Sequence, residues 1–370
     1  MTSHQTNPEV GSRVRFAACA LGLAALLALA AASARAGSDQ RTGTGGALEL
    51  LIPVGPRASA LGPGITSDIS GAEATFWNPA GLAGLQGTEA LFSHTEYFAD
   101  MKVNYAAVAA LAGNLGVLGF NAKVLSVGEV IVTTEQAPEG TGETFTPTFA
   151  VLGASWARAF TDRVNFGLTV NLVNEHVQSM TANGVALDFG VQYSTGWRGL
   201  KLGMAMKNFG SSMSFRGDNL DVSVLPPGSE PGSTNRILQF STSAFEMPSY
   251  FSLAGAYDLF RRGGNSLQLL GAFQNNNFSG DNFSGGAELK VRDLLALRGS
   301  WFGTLSSEID PVTGAESSSF GSGDDLYRGF ALGAGFTVRS GTAKIGVDFA
   351  YRPVQSPFDD IYEAGVRLKF

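Results

Sequence analysis

The chain ends Tyr362-Glu363-Ala364-Gly365-Val366-Arg367-Leu368-Lys369-Phe370. Taken in steps of two, Tyr362, Ala364, Val366, Leu368 and Phe370 form an apolar set. Glu363, Gly365, Arg367 and Lys369 form a charged or bare one. A period of two is that of a β-strand. A strand with hydrocarbon on one side and a polar lumen on the other requires it. Tyr362 and the terminal Phe370 also match the aromatic ending by which barrel-assembly machinery grips outer-membrane barrels. A soluble sheet whose last strand alternates would look the same, so the rest of the chain decides the solvent.

The opposite end points to export. Arg13 and Arg15 precede an Ala/Leu run from Phe16 to Ala32, followed by Ala34-Arg35-Ala36. A basic start, a short apolar stretch and a small-x-small site form a secretory signal. The run is too short and too Ala-rich to read as a membrane helix. Residues 1–36 are therefore expected to be a signal peptide. Cys19, the only cysteine, lies at the start of the apolar run, whereas a lipid-bearing cysteine would follow it.

After residue 36 no cysteine remains, which excludes disulfides, thiolate nucleophiles and thiolate metal sites. Losing Glu9, Arg13, Arg15 and Arg35 takes the net charge from −7 to −9, which argues against a nucleic-acid partner. No apolar run of spanning length remains. Yet mean hydropathy is positive, glycine numbers 48 and charged residues make up 15%. A closed β-barrel is the other fold that satisfies its backbone in lipid.

Between about Thr88 and Phe370 the sequence divides into fourteen strand-like segments. Val164, Phe166, Leu168, Val170 and Leu172 alternate with Asn165, Gly167, Thr169 and Asn171. Ile345, Val347, Phe349 and Tyr351 alternate with Lys344, Gly346, Asp348 and Arg352. After a tight first link near Ala99–Met101, short and long connections take turns. The longer ones fall at about 128–146, 178–183, 210–248, 276–282, 304–326 and 353–360. Outer-membrane barrels show this asymmetry, with short periplasmic turns and longer outer loops. An even strand number puts both termini in the periplasm. Tyrosines are expected near strand ends, as interfacial girdles.

Residues 37–87 are Gly/Ala/Pro-rich and barely alternate. Ser70 to Trp77 reads as a short helix ended by Asn78-Pro79. A fourteen-stranded barrel has a lumen too wide for its own side chains to fill. Residues 37–87 are therefore expected to fold into it as a plug, and 88–370 to form the barrel.

Within that plug, Arg57-Ala58-Ser59-Ala60-Leu61-Gly62 leads through Ser67-Asp68-Ile69-Ser70-Gly71-Ala72-Glu73-Ala74 to Trp77-Asn78-Pro79-Ala80-Gly81-Leu82. Met247 to Leu253 and Val347 to Arg352 add shorter matches. Together they resemble the PorV/PorQ family, itself similar to FadL-type outer-membrane transporters of the OmpP1/FadL/TodX kind. Pro63 departs from the small residues usual after the lead glycine. The resemblance implies a fourteen-stranded antiparallel barrel with an N-terminal hatch. It also implies one of two activities. The FadL-like one is passage of hydrophobic, fatty-acid-like small molecules across the outer membrane. The PorV-like one is binding of exported protein cargo for a secretion system.

Candidate sites follow. Trp77 to Leu82 reads either as a gate or as a rigid turn: Pro79 fixes φ, Gly81 permits positive φ, and Asn78 can bond the turn backbone. Lumen-facing charges include Lys102, Lys123, Glu175, Asp188, Glu288, Arg298, Lys344, Asp348, Arg352, Glu363 and Arg367. Arg298 or Arg352 can anchor a ligand carboxylate. Alternatively Lys344, Asp348, Arg352 and Glu363 neutralise one another as a ladder across the last two strands. His94 and His176, on non-adjacent strands, suggest neither a catalytic pair nor a metal site. The expectation is a non-enzymatic outer-membrane barrel with no cofactor.

Overall fold

The computed structural model describes residues 45–370, apart from 226, 229, 231–233, 310–315 and 322–328. The expected signal peptide, the first eight plug residues and Tyr327 lie outside that set. Fourteen strands close into an antiparallel ring. They are β1 (Thr88–Glu96), β2 (Lys102–Leu111), β3 (Val117–Ser126), β4 (Thr148–Ala159), β5 (Val164–Val177), β6 (Met180–Ser194) and β7 (Lys201–Gly210). The ring continues with β8 (Tyr250–Arg262), β9 (Asn265–Asn276), β10 (Asp281–Val291), β11 (Leu295–Ile309), β12 (Phe330–Ser340), β13 (Ala343–Arg352) and β14 (Ile361–Lys369). Neighbours in sequence pair throughout. Closure comes from β1 on β14, with Ala90 opposite Leu368 and Glu96 opposite Tyr362.

The alternation is realised as two faces. On β14, Tyr362 and Val366 are exposed outward while Glu363 and Gly365 are buried inward. Phe92, Phe120, Leu152, Leu172, Leu332, Phe336 and Phe349 all stand on the outer surface. An apolar exterior around a charged interior inverts the soluble pattern and suits a wall in hydrocarbon.

Loop lengths follow the expected asymmetry with three corrections. The link expected from 304 begins only after Ile309, because β11 runs on to that residue. The link expected at 178–183 is a two-residue turn, Gln178-Ser179, because Met180 to Asn183 continue the ladder, with Val177 opposite Met180. The 276–282 link shrinks to 277–280. The tyrosine girdles hold for Tyr193, Tyr257 and Tyr362. Tyr105 and Tyr250 instead point inward; Tyr105 is 1% exposed, its hydroxyl 2.7 Å from Thr75 Oγ1. Lys102 also departs from expectation. Val103 and Tyr105 take the inward positions of β2, so Lys102 lies outside.

Residues 45–87 run through the lumen from one end to the other. Gly46 donates to Glu246 O in the longest loop. At the far end Thr88 and Phe370 exchange backbone hydrogen bonds. Gly45 and Phe370 thus lie at opposite ends of the barrel. Along the way come a turn at Leu48–Leu51, a helix at Pro56–Leu61, a turn at Gly62–Ser67, a helix at Ala74–Trp77 and a turn at Pro79–Gly84. The expected helix from Ser70 starts only at Ala74, because Gly71 sits at φ 79°. Val54, Ala58, Leu61, Ile65, Ile69 and Leu82 are fully buried, so this segment supplies the core that the wall lacks.

Candidate functional site

The interior is built from glycine on the wall and backbone on the plug. Seven strands each turn one glycine inward at a point of contact. A methyl at Gly119 would lie 2.7 Å from Thr75 Cγ2, at Gly203 2.5 Å from Ser67 Cα, and at Gly333 2.5 Å from Ala60 Cβ. At Gly286 it would meet Leu61 O at 2.8 Å, and at Gly365 Pro56 Cδ at 2.8 Å. At Gly167 and Gly190 it would clash outright with Pro79 and Asn78. The bare wall lets the plug sit flush, with no layer of side chains between.

The Trp77-Asn78-Pro79-Ala80-Gly81-Leu82 stretch lies at the heart of this seat. Trp77 Nε1 donates to Val54 O at 2.9 Å. Asn78 is fully buried. Its Oδ1 accepts from Ala80 N at 3.1 Å, and its Nδ2 donates to Thr66 O at 2.9 Å, with Val191 O at 3.3 Å and Met204 O at 3.4 Å. One amide therefore ties the turn to the plug and to two wall strands. Pro79 opens the following turn, where a missing N–H costs nothing. Gly81 does not use positive φ; it is needed because a side chain would strike Ile69 O.

Three polar clusters hold the plug. In the first, Arg57 reaches Glu288 with Nε at 3.2 Å and Nη2 at 3.3 Å. Arg298 Nε donates to the same Glu288 at 2.8 Å and its Nη1 to Asp348 at 2.6 Å. Arg367 closes on Asp348 at 3.2 Å, and Lys290 on Glu288 at 2.9 Å. On the plug side, Glu73 accepts from Ala58 N at 3.1 Å. Burial pushes the Glu73 carboxyl above its ordinary value, opposed by Arg57. Arg298 is therefore committed on both sides.

The expected ladder of Lys344, Asp348, Arg352 and Glu363 breaks at Asp348 and Lys344. Asp348 pairs two strands away, with Arg298, because Gly335 on the strand between leaves the space open. Lys344 is exposed at the end of β13. The Arg352 guanidinium stacks 5.6 Å from the Phe302 ring centre.

The second cluster pairs Lys201 with Asp68 of the plug. Gln268 Nε2 bridges Asp68 at 2.7 Å and Asp258 at 3.0 Å. The third depends on a bulge. The β6–β7 register shifts between Leu187 and Phe189, and Asn208 takes φ 58°. Two successive residues, Lys207 and Asn208, then point inward. Lys207 Nζ contacts Asp188 and Phe76 O, each at 2.5 Å. Lys123 donates to Ile52 O at 2.9 Å. The two ammonium groups lie 4.6 and 4.9 Å from the Phe76 ring centre. Two buried wall lysines thus clamp plug carbonyls around one aromatic ring. Sequence reading placed Lys123 and Asp188 in the lumen but missed Lys207, which shares the inward parity of Gly203 and Ala205.

At the long-loop end the lining turns apolar. Met213 and Met247 pack with Ala47, Leu50, Val151 and Val173, with Phe215 and Phe245 above them, ring centres 5.7 Å apart. Gly184 and Gly210 make room for the two methionines. On the outer wall, a separate hollow of about 550 Å³ is lined by Leu332, Phe349, Tyr351 and Tyr362. His94 borders it, bonded to Asn104 at 2.8 Å and Glu96 at 3.0 Å. His176 is likewise on the outward face.

No family model matches the chain, and no curated protein matches it. Among solved structures it is similar to the CymD monoaromatic hydrocarbon channel, at 11% identity and TM-score 0.48 over 84% of this chain and 98% of that one. It is similar to a Pseudomonas aeruginosa FadL homologue at 11% and 0.47, over 82% and 94%. A third is the Pseudomonas putida toluene transporter TodX at 14% and 0.47, over 84% and 95%.

Proposed function

We propose that this protein is a FadL-like channel of the Gram-negative outer membrane that binds hydrophobic small molecules and passes them inward. The observation that carries this reading is the apolar cluster at the long-loop end, where Met213 and Met247 are buried against the start of the plug beneath Phe215 and Phe245. A channel for hydrated solutes has a polar entrance. Here flexible thioethers and two rings face the start of the plug, and methionine adapts to varied apolar shapes. The long-loop end is then the outer one, and Phe370 lies at the periplasmic rim, open to the barrel-assembly machinery. The wall's partner is membrane lipid. Catalysis has no place in this reading, since both histidines face away from the lumen. The Asn78-Pro79 turn serves it as a fixed seat for the hatch, and the Arg298 and Asp348 charges serve as plug anchors, not ligand anchors.

The test is uptake. Cells lacking their own hydrophobic-compound channels, given this barrel, should accumulate a labelled long-chain fatty acid or an alkylbenzene. Met213→Asp with Met247→Asp should abolish that gain while the barrel still folds. Uptake no greater than with an empty vector for every apolar compound would refute the proposal.

A PorV/PorQ-like role in secretion is the second reading. It draws on a hairpin, Asp221–Val224 with Arg236–Gln239, that exposes Val222, Ile237 and Leu238. Removing that hairpin should block secretion of a cargo protein under this reading, and leave small-molecule uptake intact under the first.

A further inference from the structure

We infer that the short-turn mouth of the barrel holds an oxyanion site, formed by β12, β13 and β14, that takes a phosphate group. Arg339, Lys344 and Lys369 stand side by side there, Arg339 opposite Lys344 and Lys344 opposite Lys369. All three share the inward parity of Thr337, Gly346 and Arg367 on the same strands. Residues directly opposite one another have Cβ atoms about 5 Å apart, and like charges so placed are destabilising. Among the described residues no carboxylate pairs with any of the three. Glu89 continues the row opposite Lys369, but it is turned to the plug, where its Oε1 accepts from Ala72 N at 3.0 Å.

One step further into the lumen the wall is bare. A methyl at Gly346 would lie 3.4 Å from Arg367 Nη2, 3.5 Å from Arg367 Nε and 3.6 Å from Thr337 Oγ1. The glycine therefore leaves a niche with three hydrogen-bond donors around it. Arg367 Nη2 already serves Asp348 at 3.2 Å. Arg367 Nε and Thr337 Oγ1 have no partner among the described residues. The niche and the row of cations adjoin, since Gly346 follows Lys344 by two residues and Arg367 precedes Lys369 by two.

The charge balance selects the ligand. Arg339, Lys344, Lys369 and Arg367 face one carboxylate, Asp348, and Arg298 holds that carboxylate from the other side at 2.6 Å. A carboxylate ligand, with a single charge and two oxygens, leaves most of these cations unmatched. A phosphate group brings up to two charges and oxygens enough for donors on three strands. Guanidinium and ammonium groups both bind it well. A soluble phosphomonoester and the headgroup of a phospholipid at this rim present the same chemistry. An anion seated here also relieves the repulsion within the row, so ligand and fold support each other.

Thermal unfolding of the purified barrel in a maltoside detergent tests this, with inorganic phosphate compared against chloride at equal ionic strength. A ligand bound only by the folded state raises the melting temperature as its concentration grows, and phosphate should do so in the parent. Gly346→Ala keeps every charge, and its methyl meets only ordinary contacts. It should fold like the parent and lose the rise. Lys344→Gln removes the middle cation of the row. It should melt higher than the parent in chloride, because repulsion is relieved, and should bind phosphate more weakly by ~10-fold. A second arm finds the source, with the barrel in vesicles of phosphatidylcholine, alone or mixed with phosphatidylglycerol, in phosphate-free buffer. A rise with phosphatidylglycerol that Gly346→Ala abolishes assigns the site to a lipid headgroup. A rise confined to inorganic phosphate assigns it to a soluble ligand. No rise in either arm overturns the site, and so does a rise that Gly346→Ala and Lys344→Gln both retain in full.

Discussion

Arg57 on the plug and Glu288 on the wall are joined at two points, Nε to Oε1 at 3.2 Å and Nη2 to Oε2 at 3.3 Å. The pair is unequal. Glu288 also serves Arg298 and Lys290, so it is the one anion among three cations.

That inequality predicts an order. Glu288→Gln removes the carboxylate shared by buried Arg57 and Arg298 and half-buried Lys290, with Arg298 keeping only Asp348, whereas Arg57→Met removes one cation of the three. Stripping a buried charge of its partner costs about 3–5 kcal/mol. The melting temperature of the purified barrel should therefore fall further in Glu288→Gln than in Arg57→Met. Equal losses would show that Arg298 and Lys290 do not depend on this carboxylate.

Gly335 keeps open the path between Arg298 and Asp348. A methyl there would lie 2.7 Å from Arg298 Nη1 and collide with Asp348. Gly335→Ala should destabilise the barrel by about 1–3 kcal/mol, as overpacking does. Gly285→Ala, with nothing within 4 Å of the added carbon, should stay within about 0.5 kcal/mol. Denaturant titration in detergent separates the two.

Gly190 and Gly167 seat the Asn78-Pro79 turn. Gly190→Leu should push that turn off the wall and leak ions, seen as raised conductance in planar bilayers. Asn78→Ala should leave the seat empty of its amide and cost about 1–3 kcal/mol for the acceptors it abandons. Proteolysis within 74–84 should rise in both variants. A silent, protease-resistant Gly190→Leu barrel would mean that the plug tolerates displacement without opening a path.

Phe370 should matter to assembly far more than to stability. Its backbone bonds to Thr88, at 2.9 and 3.2 Å, do not need the ring, which is 62% exposed. Phe370→Ala should refold in vitro with stability changed by less than about 0.5 kcal/mol, yet accumulate poorly in cellular outer membranes. The folded fraction is read from heat-modifiable gel mobility.

The wall was legible because its solvent writes a local code. Phe166, Leu168 and Val170 face out and Gly167, Thr169 and Asn171 face in, and no distant residue is needed to see it. The exceptions fail for reasons of the same kind. Met180-Thr181-Ala182-Asn183 has no apolar alternation, so it read as loop, yet ladder pairing carries it as strand. Tyr105 reads as a girdle residue until its partner, Thr75, is known to lie inside. The ion pairs were the least legible part. Asp348 has Lys344, Arg352 and Arg367 as near neighbours in sequence or pairing, yet besides Arg367 it takes Arg298 across a glycine. That choice depends on barrel shear and on an absent side chain, and neither leaves a periodic mark. Lys207 was missed although it keeps the inward parity of Gly203 and Ala205; what the bulge at Asn208 adds is a second, consecutive inward side chain.

The plug's course carries a consequence for how the chain is put together. Residues 45–87 precede β1, and β1 is one side of the seam that β14 closes last. Pro56 rests on Gly365 of that final strand, and Asn78 is wedged against Gly190 on the far side. A segment bonded to both halves of the circumference has no route in once the seam has zipped. It must already be aboard while the wall is an open sheet, waiting for its last strand as a parcel waits for its lid. The order along the chain, plug first and closing strand last, matches that sequence of events.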